Sequence, residues 1–301
     1  MPVDPTADRS LMLSVVIPTF RRPAYLPGLF AALAQEVEGL QAEVLLVDND
    51  PEGSARSFAL PGFARYVHEP DPGVANARNR GVAEARGSHV VFLDDDEVPV
   101  QGWLRAFAAS AEAGAKAAFG PVEADFDAPP PPVLRAPLER VFSRVIDSAD
   151  GGDISAKRAY LGSGNSLFAR DLLLRITPPF DPAFNGGGED VWLLRQLVDE
   201  HGARLVWCAG ARVRERVPAT RSTRSFLRRR RYRDGQLRCI VETGIGGWRA
   251  PLRVGFWMVA GGAQVVIGTA AALLSRPFSA GASLRWELMA FGGAGKLLWW
   301  R

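Results

Sequence analysis

The sequence predicts an α/β protein with a Rossmann-like, mostly parallel central sheet flanked by helices, and with a helical extension at its C-terminus. Three observations support this prediction. Short apolar runs of strand length alternate with helix-spaced segments over the first hundred residues, which is the order that builds a doubly wound sheet. The length of 301 residues allows one large α/β domain with an appendage, or two small domains. The last hundred residues are strongly basic and contain a long uncharged stretch.

Periodicity assigns the elements of the first hundred residues. Residues 13–18 form an apolar, β-branched run that ends at a proline, as a buried strand does. Residues 23–36 carry leucines and a phenylalanine at helical spacing. Residues 43–47 form a second strand that runs into a turn-forming Asp-Asn-Asp-Pro sequence. A short strand at 66–67, a helix at 73–86 and a strand at 89–93 complete the alternation.

The later elements are assigned in the same way. Residues 125–137 hold five prolines, which predicts an extended connection that runs over the surface. Strands are then expected at 163–168 and 204–208, an amphipathic helix at 189–201 and a basic helix at 221–242.

Charge is divided unevenly along the chain. Residues 1–200 hold 18 basic and 29 acidic side chains, a net −11, whereas residues 201–301 hold 18 basic and 4 acidic, a net +14. We predict two domains, of which the first is the α/β domain over 1–215 and the second is a basic helix with a hydrophobic helical region over 216–301. The basic part suggests an anionic partner.

Polar residues follow the predicted parallel strands at Thr19, Asp48 and Asp94-Asp95-Asp96-Glu97. Ligands of such sheets bind outside the carboxyl ends of the strands, so these groups are expected in one crevice. Clustered carboxylates repel unless a cation neutralises them, and a hard divalent ion such as Mg²⁺ or Mn²⁺ suits oxygen ligands. The alternative is a solvated acidic loop.

Two further groups are candidates for chemistry. Glu189-Asp190 follow three glycines and open a helix, where carboxylates are favoured by the helix dipole even without a catalytic role. Arg78 lies on a predicted helix among small apolar residues. It has the geometry to bind a phosphate or a carboxylate, or to form an ordinary surface ion pair.

Six motifs carry a family resemblance. They are SVVIPTFRR (14–22), EVLLVDND (43–50), GVANARNRG (73–81), VVFLDDDEVP (90–99), GNSLFAR (164–170) and GGGEDVWLLRQL (186–197). In this order they resemble the family 2 glycosyltransferases, which have the GT-A fold. The Asn-Ser-Leu-Phe segment and RRRRYRDGQ (228–236) are most similar to bacterial glycosyltransferases of succinoglycan and exopolysaccharide biosynthesis.

The resemblance implies a nucleotide-sugar donor, a UDP- or GDP-sugar, and a glycan or lipid-linked saccharide as acceptor. It places Thr19 and Asp48 near the base and ribose, and Arg78 near the base or the diphosphate. The remaining residues that it assigns to donor binding are Pro18, Phe20, Arg22, Asn49, Asp94, Asp95, Asn165 and Arg231. The sugar or acceptor pocket is expected to include Gly186, Gly187 and Trp192, with Asn165 beside it.

The resemblance also implies a mechanism. Asp94 and Asp96 bracket a DxD element, in which Asp96 binds Mn²⁺ or Mg²⁺ directly and Asp94 contacts the ribose or the metal. Asp190 matches the base that deprotonates the acceptor hydroxyl in a single, inverting displacement. Glu189 is the weaker candidate for the base, or a neighbour that orients the acceptor.

One departure concerns processive synthesis. Processive members carry a Gln-x-x-Arg-Trp element after the base, whereas the nearest match here is Arg228–Tyr232, without the Gln and the Trp. Arg231 remains a candidate for the diphosphate. The other interpretation of this run is a basic helix face that touches anionic lipid.

The C-terminal region suggests a membrane. Residues 254–275 have no formal charge over 22 residues, the minimum length of a bilayer span, but include four glycines, a glutamine and a threonine. Residues 286–300 are shorter and contain two charges. We expect an enzyme held at the cytoplasmic face of the inner membrane by an interfacial or re-entrant helical pair. A single span, or a helical pair packed on the catalytic domain or on a partner in a homo-oligomer, is the alternative.

Two other functions compete with sugar transfer. A sugar nucleotidyltransferase shares the topology but requires a glycine-rich phosphate loop after the first strand, where this chain has PTFRRPAYL. A non-catalytic nucleotide-binding subunit of a polysaccharide assembly complex would have no need of Asp94, Asp96 and Asp190. The basic helix has few interleaved aromatic residues, so no nucleic-acid partner is expected.

Overall fold

The structure is a computed structural model that describes residues 12–244 and 246–300. The remaining residues of the two predicted domains, 1–11, Ile245 and Arg301, lie outside the described part. The chain divides into two compact units, of which the first comprises residues 1–123 and 143–215 and the second comprises residues 124–142 and 216–301. Residues 124–142, which are predicted from the sequence to belong to the catalytic domain, thus cluster with the C-terminal helices.

The first unit is built on a seven-stranded sheet with the strand order β3-β2-β1-β4-β8-β6-β9, and a smaller sheet has the order β5-β10-β7. Neighbouring strands are parallel in the β3-β2-β1-β4 half, whereas β8 runs antiparallel to both of its neighbours. The strands are β1 (Leu13–Thr19), β2 (Ala42–Asp48), β3 (Ala64–His68), β4 (His89–Phe92), β5 (Glu97–Pro99), β6 (Ala117–Phe119), β7 (Val122–Phe126), β8 (Ser166–Ala169), β9 (Val206–Trp207) and β10 (Val213–Val217).

Helices cover both faces of the large sheet. Val15 and Ile17 of β1 belong to one hydrophobic cluster and Val16 belongs to another, because successive side chains of a strand point to opposite faces. Both clusters are buried, as expected for a parallel sheet between helical layers. The helices of the first unit are α1 (Leu26–Glu36), α2 (Val74–Glu84), α3 (Trp103–Glu112), α5 (Arg170–Leu173) and α6 (Glu189–Asp199), and those of the second are α4 (Pro132–Phe142), α7 (Arg224–Gly244), α8 (Ala250–Ser275) and α9 (Ala280–Leu297).

The predicted α/β class with a mostly parallel central sheet is confirmed. Strands β5, β6 and β10 were not predicted, because they are short and lack a clear alternation. Helix α3 was not predicted either, although it buries Trp103 and Phe107 completely.

The prediction of an extended connection over residues 125–137 is wrong. Residues up to Phe126 belong to β7, and the last prolines lie in helix α4. Leu134, Leu138 and Phe142 follow each other at four-residue spacing and join a buried cluster within the second unit, so their burial outweighs the backbone hydrogen bond that Pro137 cannot donate.

The second unit places α9 against both α7 and α8. Glycines permit the close approach, because a side chain at Gly293 would overlap the backbone of Gly261 on α8, and one at Gly235 on α7 would overlap the carbonyl of Gly292. Small residues of this kind let helix backbones approach closely. Among the described residues α8 is the one helix long and apolar enough to cross a membrane.

Candidate active site at the carboxyl ends of the strands

The ends of β1 and β4 meet through a cluster of hydrogen bonds. The hydroxyl of Thr19, the last residue of β1, donates to Asp95 Oδ2 over 2.8 Å. Arg22 Nη1 donates to Asp95 Oδ1 and to Asp96 Oδ2, each over 2.9 Å. Burial raises the pKa of Asp95 to about 6, with Arg22 acting in the opposite direction and Asp96 raising it further. Arg22 therefore neutralises a pair of neighbouring carboxylates at the end of β4.

Asp48, at the end of β2, is fully buried and bonded within its own loop. Its Oδ1 accepts from the backbone amide of Asp50 over 3.1 Å, and its Oδ2 accepts from the amide of Ala55 over 2.7 Å and from the Tyr66 hydroxyl over 3.0 Å. The carboxylate shapes the loop after β2, and its predicted contact with the base or ribose stays a prediction.

Asn49 joins this loop to the segment before α2. Its Oδ1 accepts from the Gly73 amide over 2.7 Å, and its Nδ2 donates to the carbonyls of Glu69 and Asp71 over 3.1 and 2.7 Å. The side chain is 4% exposed. Asn49 thus fixes the point at which α2 begins. It thereby also fixes the position of Arg78 on that helix.

Arg78 joins two parts of the site that are far apart in the chain. Its Nη1 donates to Glu189 Oε1 over 2.7 Å and its Nη2 donates to Asp94 Oδ1 over 3.3 Å. The guanidinium lies 5.6 Å from the centroid of the Phe180 ring. Burial acts to lower the pKa of Arg78, but Asp94, Glu189 and Asp190 together outweigh it, so the pKa is raised and the side chain stays charged.

Glu189 and Asp190 differ in how they are held at the start of α6. Glu189 is 5% exposed, its Oε1 is bound to Arg78, and its Oε2 is buried without a hydrogen-bond partner. Burial and then Asp190 raise the pKa of Glu189, and Arg78 opposes both. Asp190 is partly exposed, and its Oδ1 accepts from the next backbone amide over 2.7 Å. Of the two carboxylates, Asp190 is the one open to a small molecule.

The backbone of residues 162–164, shortly before β8, lies beside both Asp94 and Asp190, and we call this segment the strip. A methyl group at Gly164 would lie 2.6 Å from Asp94 Oδ2, and one at Gly162 would lie 3.3 Å from Asp190 Oδ2. Arg144 fastens this strip, since its guanidinium donates to the carbonyls of Gly162 and Gly164, each over 2.8 Å, and also to those of Gly120 and Asn165. Arg144 was not among the predicted site residues, because its partners are backbone carbonyls that leave no side-chain pattern.

Glu97 is a buried carboxylate directly behind the aspartates. It is 4% exposed, and its Oε2 accepts from the Asp94 amide over 3.0 Å. Burial and then Asp94 hold the pKa of Glu97 well above its usual range, which favours the neutral acid. Glu97 was part of the predicted acidic run, but its burial distinguishes it from Asp94 and Asp96, which are partly exposed.

Asn165 has a different environment from the predicted one. It is fully buried with a φ of 48°, its Oδ1 accepts from Trp103 Nε1 over 2.7 Å, and its Nδ2 donates to the carbonyls of Pro121 and Ala211 over 2.7 and 2.8 Å. These three bonds occupy its amide, so the structure places Asn165 in the frame that supports the strip rather than on its surface.

Two glycines predicted for the acceptor pocket, Gly186 and Gly187, lie in the loop before α6. Gly187 has a φ of 119°, which favours glycine, and nothing lies within 4 Å of the position that a side chain at Gly186 would take. Trp192 on α6 stacks on Phe184 with ring centroids 5.6 Å apart. Asn185 holds the loop to α2, because its Oδ1 accepts from the Ala75 amide over 3.0 Å.

The remaining predicted donor residues are divided between the two units. Pro18 lies within β1, and Phe20 directly after this strand is 45% exposed with the Arg21 guanidinium 5.1 Å from its ring centroid. Arg231 lies on α7 in the second unit, 3.8 Å from Asp234. A contact of Arg231 with the donor stays a prediction.

Carboxylates follow the strand ends of a mostly parallel sheet, and the buried Arg78 holds one of them, Asp94. This architecture is of the GT-A class. The family model "Glycosyl transferase family 2" matches residues 14–175. The chain belongs to this family and is a glycosyltransferase, so the resemblance carried by the six motifs is confirmed.

Individual relatives agree with this assignment. The chain is 29% identical to the succinoglycan biosynthesis protein ExoM of Rhizobium meliloti, over 91% of this chain and 88% of that protein. It is 32% identical over 89 residues to an uncharacterized glycosyltransferase of Haemophilus influenzae, which covers 29% of this chain and 30% of that protein. The crystal structure of S. aureus TarS 1–349 is similar with a TM-score of 0.53 and 13% identity, over 93% of this chain and 90% of that one. A second TarS structure, in complex with UDP, matches equally well.

Proposed function

We propose that this glycosyltransferase moves a sugar, with inversion, from a UDP- or GDP-sugar to a glycan or lipid-linked saccharide in exopolysaccharide synthesis at the cytoplasmic face of the cell membrane. The relation to a succinoglycan biosynthesis protein supports the pathway class. The fold shared with a UDP complex of TarS supports a nucleotide-sugar donor.

The observation that carries the proposal is the double contact of Arg78. One buried guanidinium binds Asp94, at the end of β4, and Glu189, at the start of α6. The proposed donor-side aspartates and the proposed acceptor-side carboxylate Asp190 therefore lie close together, since Asp190 adjoins Glu189. A transferase that aligns a donor and an acceptor requires this proximity.

Asp190 is the base in this proposal. Its carboxylate takes the proton of the acceptor hydroxyl, whose oxygen then attacks the anomeric carbon from the face opposite the diphosphate. The bond between the anomeric carbon and the diphosphate oxygen breaks, and the nucleoside diphosphate leaves. Glu189 is excluded from the same task by its burial and its contact with Arg78, and it serves to position Arg78.

The chain's donor set fits a divalent cation. Among residues 12–244 and 246–300 no three His, Cys, Asp or Glu side chains are grouped to hold a metal by themselves. Mg²⁺ and Mn²⁺ commonly require fewer, because one or two carboxylates and the substrate phosphates complete their coordination. Asp94, whose side chain is 39% exposed, and Asp96, whose Oδ2 also accepts from Arg22 Nη1 over 2.9 Å, would hold the ion. When bound, the ion would neutralise the leaving diphosphate.

The donor's nucleotide is assigned to the side of the crevice formed by the ends of β1 and β2. Phe20 is the exposed aromatic side chain there and offers a stacking surface for a base. Thr19 and Arg22 hold Asp95, and Asp48 with Asn49 fixes the neighbouring loop.

A nucleotide-sugar screen tests the proposal. Purified protein is mixed with UDP- and GDP-sugars and with a membrane extract as acceptor, and release of the nucleoside diphosphate is measured with and without Mn²⁺. Asp190→Asn should lower kcat by at least about a hundredfold and leave UDP binding, measured by calorimetry, unchanged. Asp199→Asn, at the far end of α6 in a surface ion pair with Arg158, is the matched control and should retain activity.

Three outcomes contradict separate parts of the proposal. Normal turnover by Asp190→Asn removes the base assignment. Full activity in excess chelator removes the role of the metal. Failure to release a nucleoside diphosphate from any donor removes the proposed reaction.

A further inference from the structure

Helix α8 exposes a continuous apolar face. Its exposed side chains on this face recur every three or four residues, so that at 3.6 residues per turn they fall within an arc of about 120° and extend for about 33 Å. We call this face the α8 stripe, and its members are Leu252, Phe256, Val259, Ala263, Val266, Ile267, Ala270, Leu273 and Leu274. Val259 is 77% exposed, Val266 is 70% and Leu274 is 74%.

The opposite face of α8 is covered by α9. Val254, Gly261 and Gly268 are its buried residues and recur every seven positions. The contacts run antiparallel along both helices, because Lys296 Nζ donates to Gln264 Oε1 over 2.6 Å while the Ser283 hydroxyl donates to the Ala272 carbonyl over 2.9 Å. The stripe is therefore the side of α8 that none of the described helices of the second unit covers.

The packing of α9 argues against a membrane-spanning α8. Gln264 lies near the middle of α8, so Lys296 would lie near the centre of the bilayer if α8 crossed it. At the same level α9 packs on α7, where a side chain at Gly295 would overlap the Tyr232 carbonyl and the Cys239 thiol lies 3.6 Å from the Lys296 carbonyl.

Helix α7 is unsuited to the centre of a bilayer. Besides Tyr232 and Cys239 this stretch carries Arg231, Arg233 and Arg238, and charged side chains at the bilayer centre are costly. The same packing is compatible with α8 lying in the plane of the membrane surface, since α9 and α7 then remain on the aqueous side.

The net charge of the second unit indicates what kind of surface contacts the stripe. The second unit holds 17 Lys and Arg against 6 Asp and Glu, a net +11. This charge opposes the pairing of two copies and complements anionic lipid headgroups. No member of the stripe has a hydrogen-bonding side chain, which suits acyl chains. Trp248 and Trp300 are 77% and 59% exposed at the helix ends, and tryptophan is enriched at membrane interfaces.

We infer that α8 lies parallel to the membrane plane, with the α8 stripe in the headgroup–acyl boundary of an anionic leaflet, and that it does not cross the bilayer. The inference rests on the membrane location proposed above and adds its geometry and its contact residues. It assigns lipid binding to the stripe, independently of the residues that bind the donor.

Vesicle flotation tests the contact surface. The purified full chain should float with phosphatidylcholine vesicles that contain phosphatidylglycerol, and bind phosphatidylcholine alone at least about tenfold more weakly. Phe256→Glu with Val266→Glu should weaken binding at least about tenfold. Thr269→Glu, exposed on α8 outside the stripe, is the matched control and should bind normally. Equal losses in the control and the stripe variant would overturn the assignment, as would a chain that does not float.

A labelling experiment tests the orientation. Trp248→Cys and Phe278→Cys place a thiol at either end of α8, where the native side chains are 77% and 87% exposed, whereas both native cysteines are buried. A membrane-impermeant maleimide is added to inverted and to right-side-out membrane vesicles from cells that produce the chain. The inference requires that both thiols react in inverted vesicles and that neither reacts in right-side-out vesicles. Reaction of one thiol only from the outer side establishes a span and overturns it.

Two controls distinguish lipid binding from self-association and from loss of the sugar-transfer reaction. Sedimentation in lipid-free buffer reports self-association, and a dimer that the double stripe variant dissociates assigns the stripe to a second copy and overturns lipid binding. The double variant should retain release of the nucleoside diphosphate with a soluble acceptor. Lost flotation with retained release leaves the reaction intact, whereas flotation of the unaltered chain without release from any donor contradicts the reaction alone.

Discussion

Removal of Glu189 gives a direct measure of how the site is held together. Arg78 is 5% exposed and binds Glu189 at 2.7 Å and Asp94 at 3.3 Å. In Glu189→Ala the buried guanidinium retains only the longer of these two contacts, to a carboxylate that is 39% exposed. Loss of one partner of a buried ion pair costs about 3–5 kcal/mol, and the remaining contact with Asp94 places the expected loss at the lower end, about 3 kcal/mol.

Urea unfolding, followed by tryptophan fluorescence, measures this loss as a difference between variants. A thermal midpoint should fall by about 6–12 °C, at about 2–4 °C per kcal/mol for a unit of roughly 200 residues. Arg80→Met is the matched control on α2, because its ion pair with Glu84 is exposed and is worth about 0.3–0.5 kcal/mol.

The double variant Arg78→Met with Glu189→Met tests whether the two side chains act as a buried ion pair. A buried ion pair replaced by apolar side chains of similar size is often neutral for stability. The double variant should therefore recover at least about 2 kcal/mol relative to the summed losses of the single variants Arg78→Met and Glu189→Met. It should nevertheless be inactive, because no guanidinium then joins Asp94 to the start of α6. Additive single effects, or a Glu189→Ala variant within about 0.5 kcal/mol of the unaltered protein, would show that the two side chains do not act as a buried pair.

Three further predictions use the same structure. Gly164→Ala would place a methyl group 2.6 Å from Asp94 Oδ2 and should lower kcat/KM at least about tenfold, whereas Gly62→Ala, with open space around it, should not. Asn165→Ala removes the partner of Trp103 Nε1 and of the Ala211 carbonyl, whereas the Pro121 carbonyl keeps its bond from the Val213 amide. The free energy of unfolding should therefore fall by about 3 kcal/mol; a raised donor KM with unchanged stability would contradict this. Burial, followed by Asp150, raises the pKa of the Cys208 thiol from 9.0 to about 11. Because the unfolded chain loses that proton first, the free energy of unfolding should decrease from about pH 9 to about pH 11, and a Cys208→Ala variant should lose this dependence.

The arrangement of the first unit was predictable to the extent that it depends on local patterns. The strand at 13–18, the helix at 73–86 and the strand at 89–93 correspond to β1, α2 and β4 within one or two residues at each end. Residues 125–137 show the opposite case, since a proline-rich stretch predicts an extended segment although its Leu134 joins Leu138 and Phe142 on the buried face of α4. Local composition carries no information on which distant residues provide that buried surface.

The candidate site shows the same division. Strand ends placed Thr19 and the aspartates after β4 close together, because parallel strands deliver their carboxyl ends to one edge. Asn165 was assigned to the donor pocket on its motif, yet its amide is occupied by Trp103, Pro121 and Ala211. Arg144 could not have been found, since it recognises carbonyl groups that every residue possesses.

By itself, the sequence determined the family, the mostly parallel sheet and the strand-end carboxylates, because these depend on apolar periodicity and on motifs read in order along the chain. Only the tertiary structure decided which carboxylate of the Glu189-Asp190 pair is open, because the partner that closes off Glu189 is Arg78, 111 residues earlier in the chain. It likewise showed that the polar helix α7 and the apolar helix α8 both pack against α9. Both outcomes are set by contacts between segments distant in the chain, where burial decides which charges are accessible and which are held in pairs.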